Sequence, residues 1–130
     1  VYVGGLYLPA KSKDASAIIA AEVPKRVVMH FIYDEISKDK LAESLYEGLA
    51  KYPAYNHLKP QMDKAAAAAE DVVAGDVMIY DYVPGKGTII TVKGKEKAVI
   101  PGAEFMRLVF NIYLGPKPAN EALKAGMLGL

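Results

Sequence analysis

Residues 76–100, "DVMIYDYVPGKGTIITVKGKEKAVI", restrict the fold more than any other stretch of this chain. "DVMIYDYV", "TIITV" and "EKAVI" read as strands, and the turns "PGKG" and "KGK" place Gly85, Gly87 and Gly94 where tight hairpin loops require positive φ. Two hairpin connections in succession make a three-stranded antiparallel meander. "PGKGT" also offers glycines, a lysine and a threonine, as a phosphate loop does. It lacks the G-x-x-x-x-G-K-[ST] spacing and joins two strands instead of opening a helix, so it is turn chemistry.

The segments around the meander mix both periodicities. Residues 1–8 are apolar on both alternating faces, which predicts a central strand covered on each side and stopped by Pro9. Ser12 or Asp14 can cap a short helix that Pro24 must end, and "KRVVMHFIY" from Lys25 to Tyr33 reads as a strand running into Asp34 and Glu35. Ser37 is placed to cap a helix in which Leu41, Leu45, Leu49 and Tyr52 recur at helical spacing, and Pro53 closes it. Asn56 is the expected cap of the next helix, with Pro60 in its first turn. Leu58, Met62, Ala65, Ala69 and Val72 form its apolar face, and Gly75 ends it. After Pro101 and Gly102 the stripe of Phe105, Leu108, Val109 and Ile112 predicts a helix ended by Gly115. A last helix is expected to start with Pro118 near its first position and to turn Ala119, Leu123 and Met127 inward.

Long helices cluster here instead of alternating with single strands, which argues against a doubly wound parallel sheet. The expected class is α+β: a mostly antiparallel sheet covered by a layer of helices. The 130 residues fit a single domain, 1–130, long enough to bury a core without staples.

Sixteen Lys and Arg against 15 Asp and Glu give a net charge of +1, so no phosphate backbone is expected as a partner and no nucleic acid. Absence of cysteine removes disulfides, thiolate nucleophiles and Cys-ligated metals. No apolar run approaches the ~20 residues that span a bilayer. His57 stands far from other ligands at metal spacing and His30 sits in a strand, so neither is taken as catalytic, and no metal or cofactor is expected. No G-x-S-x-G elbow is present to anchor hydrolase chemistry. Nine tyrosines against no tryptophan are the oddity. They fit either core-edge phenols with wet tips, or an apolar cleft between sheet and helices that holds the polar end of a lipophilic ligand. Arg107 and Asn111 lie one turn apart on the polar side of their helix, with Glu104 spaced to pair with Arg107; Arg107 is kept as a fallback ligand contact.

Three blocks, "VYVGGLYLPAKSKDASAIIAAEVPKRVVMHFIYDEISKDKLAESLYEGL", "GDVMIYDYVPGKGTIITVKGKEKAVIPGAEF" and "IYLGPKPANEALKAGMLG", together resemble the chalcone isomerase-like family, especially its bacterial members. The resemblance implies an antiparallel sheet, a helical layer and a ligand cleft between them. It also implies two sister activities: isomerases that close chalcones to flavanones, and non-catalytic relatives that bind fatty acids. In the isomerases a strand preceding the "VYVGGLYLP" equivalent brings an arginine that holds the attacking phenolate, so the chain is expected to be N-terminally incomplete. A threonine and a tyrosine work there with water on the ketone, and a lysine and an asparagine fix the ligand. Tyr2 stands at the threonine position, Ser37 at the tyrosine and Ser44 at the asparagine, while Lys40 alone matches. The expectation is therefore a non-catalytic binder of a small lipophilic molecule such as a fatty acid, with Tyr2, Ser37, Lys40, Ser44 and Arg107 as ligand contacts. An isomerase using altered residues, and a structural or interaction domain with a filled cleft, are the alternatives. The resemblance also implies a periplasmic or secreted location.

Overall fold

The computed structural model describes residues 2–10, 12–32 and 35–129, without the side chains of Tyr2 and Val3. Tyr33 and Asp34, where the second strand is expected to end, lie outside the described residues. In chain order the strands are β1 (Tyr2–Tyr7), β2 (Lys25–Phe31), β3 (Glu35–Ile36), β4 (Val72–Val73), β5 (Val77–Val83), β6 (Gly87–Val92) and β7 (Lys95–Ile100). Five of them form an antiparallel sheet in the order β1-β2-β5-β6-β7, and β3 pairs with β4 separately.

The meander forms as expected. Lys93 and Gly94 join β6 to β7 with φ of 54° and 79°, the pair of positive values that matches the twist of a two-residue hairpin. β1 differs from expectation: among the described residues it is an edge strand, paired with β2 alone. Its apolar character on the helical side is explained by a helix that lies across it, described below.

Strand alternation makes one face of the sheet the core. Val27, Met29 and Phe31 of β2, Met78, Tyr80 and Tyr82 of β5, and Ile90 and Val92 of β6 are all buried. Over this face pack α1 (Ala15–Ala20), α2 (Lys38–Ala50), α3 (Lys59–Ala67), α4 (Ala103–Leu114) and α5 (Glu121–Leu128). α4 is buried nearly all round, from Phe105 to Leu114, and is the centre of the helical layer. The class is the α+β arrangement expected from the element order.

Local chemistry decides where the helices start. Of the two candidate caps for α1, Asp14 takes the role, its carboxylate accepting from the Ala17 amide at 3.2 Å. The Ser37 hydroxyl accepts from the Lys40 amide at 3.3 Å and opens α2. The single helix expected from Asn56 to Gly75 is instead a 3-10 turn, Pro53–Leu58, followed by α3, because each segment has a proline at its start. α3 ends early despite the alanine run. Asp71 accepts from the Lys38 amide at 2.8 Å and so binds the following segment to the start of α2, while Val72 enters β4 and is buried there. α5 begins after Asn120, not at Pro118. The Asn120 side chain accepts from the Leu123 amide at 2.9 Å, and the Ala119 amide is held by the Ile112 carbonyl of α4 at 2.7 Å.

The meander turns give the first test. A Cβ at Gly87, where φ is 120°, would lie 2.2 Å from the Ile100 carbonyl oxygen, whereas one at Gly85, where φ is 82°, meets nothing within 4 Å. Gly85→Ala is expected to cost about 1–2 kcal/mol for the left-handed backbone alone. Gly87→Ala adds overpacking against main chain and is expected to cost roughly 2–5 kcal/mol in all, read by urea denaturation. Equal losses in the two variants would contradict the close approach of β6 to β7.

A candidate ligand-binding cleft between sheet and helices

A cleft of about 1160 Å³ opens between the sheet and the helical layer. Gly4 of β1, Met29 of β2, and Met78 and Tyr80 of β5 form its floor, and Ile112 and Tyr113 of α4 its back. α2 is one wall and α5 the other. The register puts Gly4, Met29 and Met78 side by side across three strands, so the floor is a continuous apolar row. The rings of Tyr80 and Tyr113 stand 6.0 Å apart, tilted by 42°, where floor meets back.

Small residues keep the walls in place. Gly48 of α2 faces Ile112 of α4 so closely that a Cβ would sit 2.8 Å from it, which fixes α2 against α4. Beyond the end of α2, the half-buried Tyr52 hydroxyl donates to the Asn111 carbonyl at 2.8 Å and accepts from the Lys117 amide at 3.0 Å. Burial pushes this phenol's pKa up, the Lys117 amide opposing the shift. Lys51 reaches the Pro118 carbonyl at 3.5 Å and Lys124 the Gly115 carbonyl at 2.9 Å. The loop leading into α5 is thus tied to both α2 and α4, and α5 lies across β1 at a fixed height above the floor.

Ser37, Lys40 and Ser44 all line the cleft, on one face of α2. Their polar groups are unequally free. Ser44 donates its hydroxyl to the Lys40 carbonyl at 3.0 Å, whereas Ser37 accepts a capping bond and keeps its proton available to a ligand. The Lys40 ammonium has no ion-pair partner among the described residues. Tyr2 pairs with Phe31 at the start of β1, and its side chain is outside the described set. Arg107 is not brought to the cleft. It lies on the side of α4 toward α1, with Glu22 at 3.8 Å, while Glu104, its expected partner, bonds His57 at 2.6 Å.

In the sequence Tyr80 and Tyr113 are only two of nine tyrosines. Ala119 and Leu123 are expected there only as core positions, and Met29, Met78, Lys51, Asn120, Ala122 and Gly126 are not singled out for the site. One signal was available: Lys40, Ser44, Gly48 and Lys51 follow at intervals of four, four and three, the spacing of one helix face. The rim is not strongly cationic, since Glu35, Glu43 and Glu47 line it with Lys40 and Lys51. Among the described residues no three His, Cys, Asp or Glu side chains are grouped to hold a metal, and no helix is long and apolar enough to cross a membrane.

The architecture is thus an α+β sheet covered by a helical layer, with a cleft of mixed apolar and polar lining between them. The chain belongs to the chalcone isomerase-like family, whose profile matches residues 1–129. A similar solved structure is the crystal structure of a fatty-acid binding protein of Arabidopsis thaliana. It has a TM-score of 0.75 and 12% sequence identity, with 98% of this chain and 76% of that one covered. No curated protein sequence matches significantly.

Away from the cleft, Lys25 is 2% exposed and extends under α1, where its ammonium donates to the Ile18, Ile19 and Ala21 carbonyls and lies 4.8 Å from the centre of the Phe110 ring. It caps the C-terminal end of α1. Burial, and to a lesser degree the nearby Arg107 charge, lowers its pKa from 10.5 to about 8. The folded protein therefore binds fewer protons than the unfolded chain between pH 8 and 10.5. Within that window the Lys25 contribution to stability rises with pH, and below it the buried charge is a cost. The stability of wild type relative to Lys25→Met is expected to increase between pH 7 and pH 10, with the Lys25 side-chain NMR signal titrating near pH 8. A difference that is flat or falls with pH would contradict this.

Proposed function

We propose that this chain is a non-catalytic member of its family that binds a fatty acid or a similar lipophilic carboxylate in the cleft. The observation that carries the reading is the open space itself, about 1160 Å³ floored by Gly4, Met29, Met78 and Tyr80. The floor itself is closely covered, with Met29 3% and Met78 and Tyr80 1% exposed, so in this reading a ligand tail reaches it by moving side chains of the α2 and α5 walls. The fatty-acid binding protein that shares the fold adds support from a relative of low identity.

In this reading the acyl chain lies on the methionine floor, and each buried methylene contributes about 0.8 kcal/mol before ordering costs. The carboxylate sits at the start of α2, near the Lys40 ammonium and the Ser37 hydroxyl. Both lie at the solvent edge, beside Glu43 and Glu47, so the head group orients the ligand while the tail supplies most of the affinity.

Palmitate titrated into delipidated protein by isothermal calorimetry is expected to saturate at one molecule per chain. Absence of binding would remove the proposal. Lys40→Ala is expected to weaken binding by no more than about fivefold, because an exposed ion pair is worth roughly 0.2–1 kcal/mol. Ala122→Trp, an exposed position on the α5 wall, is expected to displace about two methylenes and to weaken binding more than about tenfold without unfolding the protein. The opposite ranking of these variants would place the binding energy at the head group.

A further inference from the structure

A second, smaller groove of about 630 Å³ lies on the far side of α5, lined by Leu6, Tyr7, Leu8 and Lys13 from the N-terminal part of the chain and by Met127 and Leu128. Gly126 lines both this groove and the main cleft. Leu123 lines the main cleft and Met127 the second groove. A Cβ built on Gly4 would lie 2.4 Å from the Met127 methyl carbon and 2.7 Å from the Leu123 Cδ1, so the tips of Met127 and Leu123 occupy the place where β1 has no side chain. Gly126 faces no atom within 4 Å of its own missing Cβ.

These contacts differ in kind from those that seal the rest of the core. Gly48 is closed by the β-branched Ile112, with three of its side-chain carbons at 2.8 to 3.0 Å. Gly4 is closed by the Leu123 Cδ1 and by the end of an unbranched thioether, Met127, whose three rotatable bonds let it change rotamer at low cost. α5 itself is only eight residues long, ends at Gly129 in the left-handed conformation, and rests on an edge strand.

We infer that Met127, with Leu123 beside it, is a displaceable plug at the tail end of the cleft, and that it sets the length of acyl chain this protein takes. Short chains lie on Met29 and Met78 with the plug closed. Longer unbranched chains push the Met127 methyl off Gly4 and run beneath α5 past Gly126 into the second groove, so the ligand class is the long-chain fatty acids. This rests on the lipid-binding reading above.

The five methionines make the test direct. With methyl-labelled methionine, NMR spectra are recorded as octanoate, laurate, palmitate and stearate are added in turn. Met29 and Met78 report the floor, Met127 the plug, and Met62 and Met106, which do not line the cleft, serve as controls. All four chains are expected to shift Met29 and Met78, and only the longer ones to shift Met127. Affinity is expected to rise about fourfold per methylene while the tail has room, to flatten where it meets the plug, and to rise again once Met127 is displaced. Met127→Ala should remove the flat region, and Met127→Leu, which keeps the bulk, should retain it. If Met29 and Met78 shift while Met127 moves with no chain, or moves equally with octanoate and stearate, the plug is overturned and lipid binding stands. If no chain shifts Met29 or Met78, the lipid-binding reading falls and the plug falls with it.

Discussion

The packing of α4 against the core face of the sheet is the constraint on which the other elements depend. Eight of its residues, from Phe105 to Leu114, are buried, so it cannot lie at a surface and must have partners on nearly every side. The sheet covers one side, α1 and α2 flank it, the 3-10 turn runs along it from Glu104 to Asn111, and α5 also packs against it. A helix this apolar at the centre of the layer lets the peripheral helices stay short and amphipathic.

The cleft follows from how α2 and α5 meet that centre. α2 is drawn tight against α4 by Gly48, and α5 is drawn tight against β1 by Gly4. Each is anchored on its own neighbour, and the cleft lies between them, with Met29 and Met78 at its base closely covered, at 3% and 1% exposure. The polar ties around Tyr52, Lys51 and Lys124 hold the connecting loop in position, and so hold the two walls apart. The same residues that stabilise the fold thereby bound the cleft.

Much of this was legible in the sequence where a feature is local. Glycine-bearing hairpin turns, the Ser37 cap and the stripe from Phe105 to Ile112 each follow from one stretch of chain, and each is present. The miss at Asn56–Gly75 arose because helix propensity in the alanine run was outweighed by a tertiary bond, Asp71 to the Lys38 amide. β1 looked central because both of its faces are apolar, and periodicity cannot tell a neighbouring strand from a helix laid across an edge. In the candidate site, Lys40, Ser37 and Ser44 came from the family resemblance and share the cleft face of α2. Arg107 is held on the other side of the helical layer by the turn of α4. Met29, Met78 and Met127 carried no signal as a group, since only pairing register and the seating of α5 bring them near one another.

The claim at the centre of this account is that the cleft is a ligand site and not a packing fault. Native mass spectrometry of the protein isolated without delipidation tests it most directly. The expected spectrum shows the chain with one added mass of a fatty-acid species, lost on organic extraction and restored by palmitate. The bare polypeptide mass alone, both as isolated and with palmitate in excess, would contradict it.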